Sequence, residues 1–562
     1  MALHRIIDND LPPTEHAWAD TTQWSVQSSS SRTVRLSNND GTFTVLHGIG
    51  FTFDGTGEPA GGRVLSLERV SADGTTVLER LDVVNVSLTD LRAAFDAHGF
   101  VDTLLGGNDV VIGTDNSRFV NADTFQEKFY TGAGNDIVFG GGGADLYIDG
   151  RGSDLYIGGR TSQNIDYIYD AIDYSNSPYA INVLLTGGIG SFGSHVTFDG
   201  SSDVDTLVNF ESFRGSSQVD EFRVTASFVN KEGTSRNWIN GGAGNDVIHG
   251  NGQTVLYFFG GAEDNKVADG VYVNLGLGVA HSLNGAPEDD LANIGIDTFT
   301  GVNAVSGSEF DDVLIGSDSA RAETFDGGQG SDYIDGGGGA HDRYQIETPP
   351  FGLIVDLSSP VGSATLVFPD GGFETDTLVN IEDISATQFD DDITLSNVDN
   401  VAIGENGNDV IRGLAGNDTL IGDQGHGFFG TTPGDDTLIG GLGKDTMTGN
   451  EGADTFVFES ILETGKTRST RDVISDFTRG EDMVDLTTID ANVLVNGDQA
   501  FSWRGEQGFT GVAGQLHFIR ENNPGAAHDR TIIEGDVNGD RIADFQIELT
   551  GLHRLTDHDL LL

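Results

Sequence analysis

The sequence predicts an all-β fold, a right-handed parallel β-roll or β-solenoid with β-rich caps at its N- and C-terminal ends. Three observations carry this. Between Gly404 and Val457 a nine-residue unit recurs six times: GENGNDVIR, GLAGNDTLI, GDQGHGFFG, TTPGDDTLI, GGLGKDTMT, GNEGADTFV. Every eighth place is apolar (Ile411, Leu420, Phe429, Leu438, Met447, Phe456), and the sixth place carries Asp409, Asp418, Asp436, Asp445 and Asp454. Glycine makes up 80 of 562 residues, about twice the usual share. An acidic Gly-rich linker would have no reason to keep an apolar residue at a fixed place, so the period argues for stacked coils.

Within a unit, glycines at the first and fourth places (Gly404, Gly407, Gly413, Gly416, Gly440, Gly443) and at some second places let the backbone turn tightly or adopt positive φ. The first six residues then form a turn and the last three a short strand. Alternation along that strand points the eighth residue inward and the seventh and ninth outward. Two units complete one coil. Calcium prefers carboxylate and carbonyl oxygens, which turns stacked with one aspartate each can supply. The third unit has Gly427 where an aspartate is expected and the fourth opens TTPG. One site on that edge is therefore expected to be missing or weakened, with Phe429 keeping its core position. The form G-G-x-G-x-D-x-U-x resembles the RTX (repeats in toxin) nonapeptide, and the resemblance implies several bound calcium ions.

The chain divides into four parts. Residues 1–100 alternate apolar and polar residues between turn signals, as in FTVLHGIGFTFDG, which predicts antiparallel strands capping the solenoid. A helix is expected over TDLRAAFDAHG, from Thr89 to Gly99. Residues 101–403 read as a worn version of the repeat. TGAGNDIVF, GGGGADLYI and DGRGSDLYI place Asp136, Asp145 and Asp154 in register, and single units carry Asp246 and Asp332. Between them DTLVNFESF, DTFTGVNAV and DTLVNIEDI recur at Asp205, Asp297 and Asp376. Each is followed by an acidic pair: Asp220 and Glu221, Asp311 and Asp312, Asp390 and Asp391. Insertions at 170–200, 269–290 and 345–372 carry the runs INVLL, VYVNL and LIVDL, read as extra strands or surface loops on the roll. Residues 404–457 are the regular roll. Residues 458–562 form the last part, whose passages DVISDFTRGEDMVDLTTIDAN and TIIEGDVNGDRIADFQIELTG resemble the C-terminal domain of serralysin-type RTX proteins, as does the ending Asp559 to Leu562. That resemblance implies a β-rich cap bearing an uncleaved signal for a type I exporter, in keeping with an N-terminus that has no apolar h-region.

Charge and residue types narrow the chemistry. The net charge of −59 disfavours nucleic acid or anionic lipid as a direct partner and favours multivalent cations. No apolar run is long enough to span a membrane. The absence of cysteine excludes disulfides and thiolate metal sites. There is no HExxH zinc motif and no GxSxG elbow, so the enzymatic half of a serralysin is not expected. Asp536, Asn538, Asp540 and Asp544 imitate the start of an EF-hand loop, but Arg541 and Ile547 occupy the required Gly and Glu places, which favours a structural Asx-turn. Tyr167, Tyr169, Tyr174 and Tyr179 read as packing residues rather than a sugar-stacking ladder. The resulting expectation is a secreted, non-enzymatic calcium-binding protein of the cell surface or matrix, with self-association or an extracellular glycan as candidate partners. The alternative is an extracellular polysaccharide lyase, epimerase or hydrolase, or a protease relative, with its site within 160–400, where His195, Tyr257, His281 and Arg343 offer proton-transfer or cationic groups.

Overall fold

The computed structural model describes residues 127–562 apart from 132–134, 140–144, 159–169, 188–193, 231–233, 259–268, 285–291, 347–350, 369–371, 425–433 and 523–528; before residue 127 it describes essentially the backbone of seven strands. Every helix or strand among the described residues is a strand. The helix expected at Thr89–Gly99 lies outside them, as do Gly427, Phe429, Tyr167 and Tyr169.

The first part is antiparallel, as the alternation predicts. Strands Ser25–Ser29, Thr33–Ser37, Phe43–Phe53, Pro59–Val70 and Val77–Ser87 pair in sequence order. Leu3–Ile6 then lies between Val77–Ser87, antiparallel, and Val110–Ile112, parallel, where the solenoid ladder begins.

Two compact units follow from the packing, one of residues 1–257 with 279–302 and the other of 258–278 with 303–562. Each contains two parallel ladders, one for each strand of a coil. In the first unit one ladder runs Val110–Ile112, Ile137–Phe139, Leu155–Ile157, Val204–Val208. The other runs Glu127–Tyr130, Asp145–Ile148, Ala171–Asp173, Ser212–Arg214, Asn237–Asn240. In the second unit the regular repeats supply Val410–Arg412, Thr437–Ile439 and Thr455–Val457 to one ladder and Thr419–Asp423 and Thr446–Thr448 to the other.

The eighth places face inward. Ile411, Leu420, Leu438, Met447 and Phe456 are fully buried between partly exposed neighbours, as the period-2 argument requires. The first unit fills the same column with rings: Tyr147 packs between Phe129 and Phe210, with centroids 5.0 and 4.7 Å away.

The insertions are hairpins built into the ladder. Val204–Val208, parallel to Leu155–Ile157, pairs antiparallel with Ser194–Phe198, which pairs antiparallel with Ile181–Leu185; only then does the ladder resume at Glu221–Val224. Phe373–Val379, Val361–Val367 and Leu353–Asp356 repeat this order before Asp392–Thr394. The run VYVNL behaves alike on its resuming side, where Val271–Asn274 pairs parallel with Val313–Ser317. The three β-type runs are thus the strands on which the ladder restarts.

Ile411 pairs directly with Leu438 and Leu420 with Met447, a step of three units, where Leu438 and Phe456 are two units apart; residues 425–433, most of the third unit, lie outside the described residues. The missing sixth-place aspartate of the third unit coincides with this skip.

Beyond Val457 the ladders continue through Val473–Ile474 and Met483–Asp485. They end on a three-stranded antiparallel sheet of Gln515–Glu521, Arg530–Asp536 and Phe545–Thr550, and on Leu560–Leu561. One face of this sheet carries a polar network: Arg471 bonds Glu548 and Gln546, and His517 meets Glu534 at 3.0 Å.

Candidate metal centre

The sixth-place aspartates form columns along the stack, each tied to the next coil by the same bond. The backbone N–H of Asp391 donates to Oδ1 of Asp409, that of Asp409 to Asp436, and that of Asp436 to Asp454, at 2.8, 2.8 and 3.0 Å. On the opposite edge Asn400, Asp418 and Asp445 donate likewise to Asp418, Asp445 and Asp472. In the first unit Asp136 donates to Asp154, Asp145 to Asp170, and Asp220 to Asp246. All ten sixth-place aspartates picked out by the sequence pattern are buried.

One carboxylate oxygen is thereby spent, and the other decides the chemistry. Oδ2 of Asp246, Asp332, Asp409, Asp418, Asp436, Asp445, Asp454 and Asp472 is buried with no hydrogen-bond partner from the protein. A buried ionised oxygen left unpaired costs several kcal/mol, on the order of 2–7 even for a neutral polar group. Burial pushes Asp409 up to about 9, reinforced by Asp391 and Asp436, and lifts Asp436 and Asp454 to about 7. Asp332, buried beside Asp376, is pushed up to about 10.

The glycines explain why these oxygens stay open. A Cβ on first-place Gly404, Gly413, Gly440 or Gly449 would come within 2.1, 2.6, 2.5 or 1.9 Å of Oδ2 of Asp409, Asp418, Asp445 or Asp454. Fourth-place Gly407, Gly416 and Gly443 adopt φ of +117, +151 and +146°, accessible essentially to glycine alone. Oxygens of this kind, together with turn carbonyls, suit a hard divalent cation such as calcium.

Asp154 differs from the other members. Its unit, DGRGSDLYI, opens with Asp149 in place of glycine. Asp149, Asp154 and Asp205 each bring a carboxylate oxygen within 4.8 Å of the others. The buried Tyr156 hydroxyl lies 2.8 Å from Asp149 and 3.1 Å from Asp154, and Tyr174 bonds Asp205 at 3.2 Å. Burial raises Asp149 to about 7.

Sequence reasoning missed Asp472. It is fully buried with Oδ2 unpaired, and the run Asp472-Val473-Ile474 repeats Asp409-Val410-Ile411 without the preceding glycines. It also missed a fifth-place column in which Asn408, Asn417 and Ser331 donate backbone N–H groups to Asp390, Asp399 and Asp311. The acidic pairs are therefore split: Asp312 and Asp391 lie in the buried column, while Asp311 and Asp390 are exposed at the turn.

The EF-hand-like loop is spent on itself. Both oxygens of Asp536 accept backbone N–H groups, from Gly539 and Arg541, and Asp544 accepts those of Val537 and the Asn538 amide. The four groups considered for catalysis stand on different strands or at their ends. His195 faces Leu184 and Thr206 across its strands, His281 pairs with Ile296, the Tyr257 hydroxyl meets Ser212, and Arg343 meets Asp383. No helix among the described residues is long and apolar enough to cross a membrane.

A family model of the RTX calcium-binding nonapeptide repeat matches residues 123–156, 233–254 and 319–340, and one of the peptidase M10 serralysin C terminal matches 360–562. The chain thus carries RTX calcium-binding repeats and a serralysin-type C-terminal region. Among solved structures it is similar to two subunits of the mannuronan C5-epimerase of Azotobacter vinelandii. One is 23% identical, over 31% of this chain and 78% of that one, with a TM-score of 0.17; the other is 22% identical, over 32% and 91%, with a TM-score of 0.21. Among curated proteins none matches.

Proposed function

We propose that this chain is exported through a type I system and folds on calcium outside the cell, where it serves a structural or adhesive role without catalysis. The observation that carries this is the row of buried Oδ2 atoms with no protein donor. Asp409, Asp418, Asp436, Asp445 and Asp454, with the turns opened by Gly404, Gly413 and Gly440, hold calcium in the regular roll, and Asp136, Asp145, Asp246 and Asp332 do so upstream. Calcium supplies positive charge to an edge where like charges otherwise face one another. Where free calcium is low, that repulsion keeps the regular repeats open; where it is plentiful, binding free energy becomes folding free energy.

The serralysin match over 360–562 supports export. Its test is removal of the last ~60 residues: the truncated chain should stay inside cells that carry a matching exporter, and its secretion would refute the assignment. The folding reading is tested by circular dichroism of the full chain in chelator, in magnesium and across ~10⁻⁴ to 10⁻³ M calcium, the range of extracellular modules. β-structure should appear with calcium and poorly with magnesium; identical spectra in chelator and calcium would overturn it. Turnover of alginate, a pectin-like polymer or casein by calcium-loaded protein would overturn the non-enzymatic reading alone.

A further inference from the structure

We infer that the buried aspartates of the roll are of two kinds, and that only one kind needs calcium to close its coil. In the first kind, exemplified by Asp246, Asp332, Asp409, Asp418, Asp436, Asp445 and Asp454, Oδ2 has no protein donor. In the second kind the chain supplies the donors itself.

Three turns show this with the same geometry. Asp220 accepts the N–H of Ser216 on Oδ2 at 2.6 Å and the Ser216 hydroxyl on Oδ1 at 2.8 Å. Asp312 takes both groups from Ser308 at 2.6 and 2.9 Å, and Asp391 takes both from Thr387 at 2.8 and 2.9 Å. Each aspartate also accepts the first N–H of the strand on which the ladder restarts, from Ile181, Val271 and Leu353 respectively. Two further aspartates are closed from the core: the phenols of Tyr174 and Tyr344 donate to Oδ2 of Asp205 and Asp376 at 3.2 and 2.7 Å, while Oδ1 receives the N–H of Asp154 and Asp332.

The local sequences explain the difference. The capped turns read GSSQVD, GSEFDD and ATQFDD, with a hydroxyl residue at the second place. Their fourth places hold Gln218, Phe310 and Phe389, none of which adopts positive φ, where the open turns have a glycine, at positive φ in every case but Gly434. The second-place residue folds back onto the carboxylate, as Ser and Thr do in local side chain to backbone motifs. An aspartate with three protein donors is compensated for its burial without a cation, whereas one with a single donor is not.

Position along the chain gives this a consequence. Each capped aspartate begins the strand on which a hairpin excursion rejoins the ladder, as Glu221–Val224 does beside Ile181–Leu185 and Asp392–Thr394 beside Leu353–Asp356. The hairpins and the capped turns together make islands, near 181–224, at 271–274 with 308–315, and at 353–394, that hold their fold without calcium. The open repeats, above all 404–457, stack onto them when calcium arrives. A solenoid propagates from an existing coil more readily than it nucleates, so the islands are templates for the calcium-dependent coils. This rests on the calcium-folding reading of the regular repeats and refines it.

Hydrogen exchange of the full chain, read peptide by peptide by mass spectrometry in chelator and in millimolar calcium, tests the partition. In chelator the amides of 404–457 should lose protection by about 100-fold or more, while those of 181–185, 221–224, 353–356 and 392–394 change by less than about threefold. Equal loss in both sets overturns the partition while leaving calcium folding intact. No loss in 404–457 overturns calcium folding and the partition with it. Bound calcium counted by native mass spectrometry is the second measurement. Asp312→Asn and Asp391→Asn should leave the number of ions unchanged, and Asp409→Asn and Asp436→Asn should lower it; loss from both pairs also overturns the partition.

Discussion

Residues 353–394 and 404–457 lie in the same unit and share a ladder, with Asp392–Thr394 paired in register to Val410–Arg412 and with Ile393 and Ile411 both fully buried. Their inward faces are interchangeable, and their turns are not. Asp391 has Thr387 and Leu353 as donors besides its place in the stack, while Asp409 has the Asp391 N–H and an open oxygen. Burial lifts both carboxyls; the Thr387 and Leu353 donors limit Asp391 to about 7, whereas the like charges of Asp391 and Asp436 help push Asp409 to about 9. The same apolar column can thus be closed by side-chain hydroxyls or left for a cation, and the choice is made by two residues of the turn.

The broadest way to press this comparison is pH, because it acts on every open carboxylate at once. In the metal-free roll these groups bind protons more tightly folded than unfolded. Their contribution to stability is therefore greatest below the ordinary value of 3.8 and is lost as pH rises through about 6 for Asp445, about 7 for Asp418, Asp436 and Asp454, and about 9 for Asp409. In chelator, acidification toward pH 4 should raise β-content; in calcium it should raise the concentration needed to occupy the sites, since protons and the ion compete for the same oxygens. A calcium midpoint that does not move between pH 8 and pH 5 would contradict the column.

A second test separates core from turn inside one unit. Leu438→Asp puts a charge into the buried column and should cost about 4 kcal/mol or more, so that saturating calcium no longer restores the circular dichroism of the fold. Asp445→Ala should instead shift the calcium midpoint upward by about tenfold with the final spectrum retained. Equal behaviour of the two variants would mean that the faces are wrongly assigned.

Glycine placement offers a smaller effect. Gly413→Ala would set a Cβ 2.3 Å from the Gly440 carbonyl oxygen and 2.6 Å from Asp418 Oδ2, costing about 1–3 kcal/mol in calcium. Gly508→Ala, with nothing within 4 Å, should stay within about 0.5 kcal/mol. Thermal unfolding in calcium distinguishes them. Thr387→Ala removes the hydroxyl but keeps the N–H bond and should cost only about 1 kcal/mol, alike with and without calcium; a cost present only in calcium would place an ion at Asp391 after all.

Much of this architecture is written into single units. The inward eighth place follows from the period of a strand, and the first- and fourth-place glycines from conformations only glycine tolerates, so Ile411, Gly407 and Asp409 were assignable from nine residues. The burial of Asp472 was within reach too, since its DVI run repeats that of Asp409. The Ser/Thr caps sit only four residues before their aspartates, yet without a glycine frame nothing marked them as part of the repeat.

What the sequence determined by itself is the repeat: which residue faces inward, which carries the carboxylate and where the backbone must turn, because each of these is settled by φ preferences and side-chain alternation within one unit. The tertiary structure alone decided which coil meets which. It carried Ile411 past a whole unit to Leu438, laid Ile181–Leu185 above a strand that comes later in the chain, and brought Tyr174 to Asp205 and Tyr344 to Asp376 across 31 and 32 residues. Those pairings depend on how neighbouring coils stack, and the fate of each buried oxygen, closed by the protein or left open to an ion, depends on them.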